Sequence, residues 1–470
     1  MNKLLTILAV ATAVAGCASP TPAEKPQSAR NVILFIGDGM GVSTVTAARI
    51  FDGQSRGLAG EEHVLAFEEF PNVALVKTYN TNQQVPDSAG TATAMMTGTK
   101  TRAGVINVSP DAARGSCAGA LENPLVPLSR TAKERGLAVG VVTTTRLTHA
   151  TPATVYANSP ERDWESDKYL SDEQWALGCR DIAWQLTHPD DEAGLDIAMG
   201  GGRGEFVGAG GNRKDPAADL IADWLAASPD RQFVDTAEGL KSLRPGANVI
   251  GLFSRSHMSY VARRKPDTTQ PMLAELTAAA IDHLAGSPDG YFLMVEGGRI
   301  DHGHHIGKPG YALVETQAFA RAVETALARV DLDDTLILVT ADHSHAFTLA
   351  GYPTRGNPIL GLVVENDRRG EPNPSPSVDA DGVPYTSVGY ANGPGAVRQV
   401  PRPEPETGVY SVAQALVPVV HTRVDGSPDN GETHSGEDVA LYAIGPGSDA
   451  VRGVIEQNRI FDIMRAAYGW

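Results

Sequence analysis

Asn31-Val-Ile-Leu-Phe-Ile36, followed at once by Gly37-Asp38-Gly39-Met40-Gly41, is the stretch that decides the fold. An apolar, β-branched run without polar interruption reads as a strand covered on both faces. The glycines end it, and a helix is expected from Ser43. The same signal returns at Ala138–Thr143, Leu195–Met199, Asn248–Phe253, Tyr291–Val295 and Thr335–Val339. Helical patterns lie between several of these runs, at Ala217–Ala226, Met272–Leu284 and Tyr311–Val330. Short buried strands alternating with helices predict an α/β protein with a large, mostly parallel central sheet flanked by helices. From about 357 to 430 the pattern weakens and Pro, Gly, Asp and Asn become dense, which reads as an insertion because motif-like sequence resumes at Glu432.

The chain has 470 residues, with 39 Lys+Arg against 56 Asp+Glu, a net −17. That length allows a large core. The acidic balance argues against nucleic acid as a specific partner, which needs a basic footprint. It leaves anionic substrates open, because bound divalent cations reverse the sign of a pocket locally.

Met1-Asn2-Lys3 followed by Leu4–Gly16 reads as a signal peptide over residues 1–16, too short for the roughly 20 residues of a membrane span. Val14-Ala15-Gly16-Cys17 resembles a bacterial lipobox, so lipidation of Cys17 is expected, the alternative being a plain secretory signal. Cleavage there leaves 470 − 16 = 454 residues, beginning with a lipidated tether over 17–29. The protein is then exported and anchored at the periplasmic or cell surface. Cys117 and Cys179 remain as an even pair, which in an exported chain suggests one disulfide.

Polar residues collect where parallel sheets bind ligands, beyond the carboxyl ends of strands. Asp38 follows the first run, Glu296 and Asp301 follow Tyr291–Val295, and Asp342 and His343 follow Thr335–Val339. Seven of the twelve histidines lie in four patches: His149; His302, His304 and His305; His343 and His345; His434. Asp301 and His305 are four apart, one helical turn, and mixed oxygen and nitrogen donors suit zinc. Asp342 and His343 could share an ion only in the turn beyond their strand, where neighbours no longer point to opposite faces. Pro86-Asp87-Ser88-Ala89-Gly90 opens a small-residue helix, whose N-terminus favours either an anion or a plain Asp/Ser cap. Thr151, in the patch with His149, offers oxygen of the kind magnesium prefers. Arg162 offers a fork for phosphate, the plainer reading being a salt bridge to Glu161 or Asp163.

Taken together these motifs resemble those of alkaline phosphatases, in the family's order from residue 31 almost to the C-terminus. The matching stretches are Gly37–Gly41, Pro86–Gly90, Thr143–Pro152, Arg162–Trp164, Glu296–His305, Thr340–His345 and Thr433–Asp438. Their wording is nearer the animal tissue-nonspecific and placental type than the enterobacterial type. The resemblance implies a catalytic domain over 30–470 with a crown-like insertion at about 357–430. It implies hydrolysis of small phosphate monoesters at alkaline pH through a phosphoserine, with two Zn²⁺ and one Mg²⁺. Asp301, His305 and His434 would hold one zinc. Asp38, Asp342 and His343 would hold the other, with Ser88 as its fourth ligand. Asp38, Thr151 and Glu296 would hold magnesium. Ser88 would be the nucleophile and Arg162 the phosphate clamp, Asp87 joining them in the substrate-binding set. His149 and His302 would tune the metals without binding them. A Cys117–Cys179 disulfide and a homodimer are implied as well.

One family feature departs. The animal enzymes' calcium site has a glutamate after Gly-Leu-Phe, where this chain has Ser254, and a further acid where it has Gln270, so that calcium is not expected. A phosphodiesterase or another metal hydrolase of the same superfamily is the alternative activity. A sulfatase is disfavoured because Ser88-Ala-Gly-Thr-Ala lacks the Cys/Ser-x-Pro-x-Arg nucleophile motif. A non-catalytic phosphate- or zinc-binding lipoprotein is disfavoured by the complete set of candidate residues.

Overall fold

The computed structural model describes residues 28–189, 194–393 and 431–470. The signal peptide, Cys17, most of the tether and the later part of the insertion lie outside the described residues. In chain order the strands are β1 (Asn31–Gly37), β2 (Asn72–Lys77), β3 (Ala138–Arg146), β4 (Ile197–Gly201), β5 (Arg231–Val234), β6 (Asn248–Leu252) and β7 (Tyr291–Glu296). They continue with β8 (Thr335–Ala341), β9 (Ser344–His345), β10 (Phe347–Leu349), β11 (Val388–Tyr390), β12 (His434–Ser435), β13 (Val439–Ile444) and β14 (Gly453–Glu456).

Ten strands form one sheet in the order β14-β2-β13-β8-β1-β7-β3-β4-β6-β5. Every pairing in it is parallel except those of β13, which runs antiparallel to β2 and β8. The expected α/β architecture is therefore what forms. The reason is visible in β1, where Val32–Ile36 have no solvent exposure. Strands apolar on both sides need a helical layer on each face. Helices α1 (Val42–Ser55), Leu273–Leu284 and Pro309–Leu327 pack side by side, and Phe319 meets Phe35 edge-on with ring centres 5.9 Å apart. A second group includes Ser88–Thr97, Leu128–Glu134 and Arg459–Tyr468.

Several expected boundaries move for local reasons. The helix expected from Ala217 begins at Leu220, because Asp219 caps it by accepting from Ile221 N and Ala222 N at 3.1 and 3.0 Å. The strand expected to end at Thr143 runs on to Arg146 and carries its threonines to the sheet's carboxyl edge. Within the described part of the insertion, β11 pairs with β10 as a small antiparallel ribbon. Cys117 and Cys179 are joined as a disulfide, with Cα atoms 5.8 Å apart, packed with Trp164 and Leu170.

Glu315, in helix Pro309–Leu327, is buried and accepts from Val261 N at 2.6 Å. Burial raises its carboxyl pKa from an ordinary 4.5 to about 7, against the opposing pull of the Val261 N–H, Arg264 and Arg299. A raised folded-state pKa favours the protonated form in the fold, so stability falls as pH rises from about 4.5 through about 7. The window corresponds to at most about 3 kcal/mol. Glu315→Gln is expected to raise the unfolding free energy relative to wild type at pH 8 and to leave it unchanged at pH 4.5. Denaturant melts at the two pH values check this, and an equal effect at both would contradict it.

Candidate active site

The register of the central strands sets the site. Ile36 of β1 pairs with Glu296 of β7 and with Thr340 of β8, and Thr143 of β3 also pairs with Glu296. Asp38, Glu296 and Asp342 therefore leave neighbouring strands at one level, at their carboxyl ends. Gly39 turns the chain there with φ +67°, and a Cβ on it would lie 2.4 Å from the His345 ring. Its N–H donates to Asp342 Oδ1 at 3.0 Å, which joins the two turns.

Ser88 opens the helix α2 (Ser88–Thr97), in which Ser88 to Met96 are all buried, so only small residues and two methionines fit. Asp87 caps it by accepting from Gly90 N at 3.1 Å. Ser88 Oγ lies 3.2 Å from His343 Nε2 and 3.4 Å from Asp38 Oδ1. His343 Nε2 is 3.4 Å from both Asp38 Oδ1 and Asp342 Oδ2. Four side chains expected to act together thus converge.

A second group forms beside the first. Helix Arg299–His305 places Asp301 and His305 one turn apart, with Asp301 Oδ1 3.3 Å from His305 Nε2. His434 Nε2 is 3.4 Å from the same oxygen and 3.0 Å from His305 Nε2. Backbone carbonyls fix the tautomers. His305 Nδ1 donates to Glu432 O at 3.0 Å, His434 Nδ1 to Pro86 O at 2.8 Å, and His343 Nδ1 to Ser344 O at 3.1 Å. When neutral, each ring presents a lone pair at Nε2, and those of His305 and His434 face each other. Two facing lone pairs beside a carboxylate suit a shared cation.

The third group surrounds Glu296. Its Oε2 accepts from Thr143 Oγ1, and from Thr145 Oγ1 at 3.0 Å. Glu296 Oε1, Thr151 Oγ1, Asp38 Oδ2 and Asp342 Oδ2 are buried with no hydrogen-bond partner among the described residues. Unpaired buried oxygens are costly, and divalent cations would satisfy them. Burial, then repulsion from Asp342, Asp301 and Glu296, pushes the Asp38 pKa well above the usual carboxylate range. The donor chemistry therefore fits metal ions: oxygen alone around Glu296 and Thr151, mixed oxygen and nitrogen in the other two groups.

Arg162 Nη1 donates to Asp87 Oδ2 at 3.1 Å, and Nη2 lies 3.2 Å from His149 Nε2. It does not pair with either acidic neighbour in sequence; Glu161 is taken by Arg114. Asp87, expected in the substrate-binding set, gives its oxygens to Gly90 N, Gly104 N and Arg162. His149 and His302 lie with ring centres 5.5 Å apart, and burial depresses the pKa of both, His302 to about 3.

Three participants were not foreseen. His345 Nε2 lies 2.6 Å from Asp301 Oδ1, and its Nδ1 lies 2.5 Å from Glu432 Oε1. His345 stands in a motif quoted above and Glu432 directly before another, but nothing in their spacing joins them. His257 packs 4.3 Å from the His302 ring and meets Arg146, although it is alone in its stretch of sequence.

Buried carboxylates and imidazoles beside a serine at a helix N-terminus, with a guanidinium held by the preceding aspartate, are the donors that cation-assisted hydrolysis of a phosphate ester needs. The alkaline phosphatase family model matches residues 29–469. The chain is 43% identical to the human tissue-nonspecific alkaline phosphatase over 463 residues, 93% of this chain and 83% of that one. It is 42% identical to alkaline phosphatase of Gadus morhua, over 92% of this chain and 90% of that one. The chain belongs to the alkaline phosphatase family, and its reaction is hydrolysis of phosphate monoesters. The fold is shared with alkaline phosphatase from the Antarctic bacterium TAB5, at a TM-score of 0.64 and 24% identity over 95% of this chain and 99% of that one. It is shared also with that of Thermus thermophilus, at a TM-score of 0.67 and 24% identity over 97% and 96%.

Asp87→Asn keeps a good helix cap and removes the charge that faces Arg162. The pair is partly exposed, so about 1 kcal/mol is at stake, or roughly fivefold in phosphate affinity. KM for p-nitrophenyl phosphate and Ki for inorganic phosphate should both rise by that factor. Steady-state kinetics with unchanged values would contradict the role of Asp87 as the clamp's anchor.

Proposed function

We propose that this chain hydrolyses phosphate monoesters at alkaline pH through a phosphoserine on Ser88, using two zinc ions and one magnesium ion. Asp301, His305 and His434 would hold one zinc. Asp38, Asp342, His343 and Ser88 would hold the second. Asp38, Thr151 and Glu296 would hold magnesium. Such cations, when bound, supply Lewis-acid stabilisation of the oxygens that carry charge during phosphoryl transfer. The observation that carries the reading is the set of three imidazole Nε2 atoms that backbone carbonyls aim at buried carboxylates, those of His305 and His434 at Asp301 and that of His343 at Asp38 and Asp342, with Ser88 Oγ beside His343 and Asp38. Among the similar structures, a mutant of the TAB5 enzyme is described with Mg bound in its M3 site.

The chain's own residues supply the remainder. Ser88 Oγ, deprotonated more readily as pH rises, attacks phosphorus. The Oγ–P bond forms as the ester O–P bond breaks, and the alcohol leaves. Water then attacks the phosphoserine and returns the Ser88 hydroxyl with inorganic phosphate. Arg162 and the free N–H groups at the start of α2 receive the non-bridging oxygens, whose charge persists through a loose transition state. Asp87 and His149 hold the guanidinium in place.

The proposal extends to the setting. The lipobox-like Val14–Cys17 supports export and a lipid anchor at the periplasmic or cell surface. Residues 30–470 would form one catalytic domain carrying the crown-like insertion at 357–430. Likeness to the family supports a homodimer.

Ser88→Ala is expected to lower kcat at least a thousandfold and to abolish acid-trapped phosphoenzyme. Chelator treatment should remove wild-type activity, and zinc with magnesium should restore it. Near wild-type turnover by Ser88→Ala, or activity that survives chelation, would overturn the reading.

A further inference from the structure

Glu432 is buried, with 1% of its side chain exposed, and belongs to none of the three ligand groups proposed above. It is nevertheless linked to each member of the Asp301 group, to His305 directly and to Asp301 and His434 through a neighbour. Its Oε1 meets His345 Nδ1 at 2.5 Å, and the other nitrogen of that ring meets Asp301 Oδ1 at 2.6 Å. Its carbonyl accepts from His305 Nδ1 at 3.0 Å, while its N–H donates to His305 O at 3.2 Å. Two residues on, His434 pairs across β9 and β12 with His345 itself. Glu432 Oε2 also accepts from Ala346 N at 3.2 Å, which pins the same short ribbon from its other side. One residue therefore touches or adjoins every element that aims a donor at this group: Asp301 through the His345 ring, His305 through a peptide group, and His434 through the strand.

We infer that Glu432 is a positioning residue that sets how firmly the Asp301, His305 and His434 group holds its cation, acting through the orientation of His345. The inference rests on the reading above that this group takes zinc. The carboxylate fixes the His345 ring by one nitrogen, so that the other stays on Asp301 Oδ1. Asp301 then keeps a single rotamer, with that oxygen also facing His305 and His434 at 3.3 and 3.4 Å. Removing the carboxylate leaves His345 Nδ1 buried without an acceptor and frees the ring to turn. The hold on Asp301 goes with it, although no ligand has been altered. Changes at partners of this kind alter metal affinity by roughly 10–100-fold. Because the peptide of Glu432 keeps its own bonds to His305 when the side chain changes, the effect separates the carboxylate from the backbone.

The test uses full-length Glu432→Ala and Glu432→Gln beside wild type, each loaded with zinc and magnesium. Metal per chain is measured by plasma emission, and zinc transfer to a chromogenic chelator is followed in time. Activity is titrated against free zinc. One of two zinc ions in Glu432→Ala should transfer at least tenfold faster, with the other zinc and the magnesium unchanged. Half-saturating zinc should rise in proportion, while kcat at saturating zinc returns to within about threefold of wild type. Glu432→Gln, which keeps the shape but not the charge, should fall between the two and carries the test if the alanine variant does not fold. Wild-type release rates in the variants overturn the inference, as does loss of all metals together with a lowered unfolding midpoint, which marks a general structural role. A wild-type protein that takes up no zinc overturns the reading of the site itself, and this inference with it.

Discussion

Three backbone carbonyls, those of Pro86, Ser344 and Glu432, govern what this protein can do. Each captures the Nδ1 proton of an imidazole and so turns an Nε2 lone pair towards a buried carboxylate. Without that capture the rings of His434, His343 and His305 could choose either tautomer, and their donors would not converge. The Pro86 carbonyl has a second consequence, since it lies two residues before Ser88. The same turn that presents Ser88 orients a donor from the far end of the chain, 348 residues away.

The sheet makes this possible by bringing distant segments to one edge. Strands β1, β7 and β8 are neighbours, paired in a register that ends Ile36, Glu296 and Thr340 at one level. The turns beyond them can then share oxygens, as Gly39 N and Asp342 Oδ1 do. Strand β13, the antiparallel member, returns the chain from β12 so that His434 lies against His345. Burial, and then repulsion among the gathered carboxylates, oppose this arrangement, and together they raise the Asp38 pKa. A fold that keeps such groups buried together is one in which positive charge from cations compensates.

The central strands were legible in the sequence because burial on both faces leaves an unbroken apolar run. Strand β2 was not, since Val73 and Leu75 lie exposed beside buried Ala74 and Val76 at one side of the sheet. Its apolar residues report no single face. The motif residues Asp38, Asp301, His305, Asp342 and His343, which follow strands, and Ser88, which opens a helix, were readable as candidates from recognisable local patterns. Glu432 and His345 are 87 residues apart, and what joins them is one hydrogen bond that no local spacing encodes. Asp87 shows the same limit. Its motif placed it beside Ser88, but only the three-dimensional arrangement shows that its carboxylate caps α2 and bonds Arg162. His257 had no signal at all, being a lone histidine whose partners are Arg146 and the rings of His149 and His302.

The central claim is that the donors beside Ser88 form two zinc sites. Anomalous diffraction recorded above and below the zinc absorption edge, from crystals of the zinc-loaded protein, tests it most directly. The account predicts two zinc peaks: one among Asp301 Oδ1, His305 Nε2 and His434 Nε2, the other among the Asp38 and Asp342 carboxylates, His343 Nε2 and Ser88 Oγ. Zinc bound elsewhere, or no zinc between the facing nitrogens of His305 and His434, would contradict it.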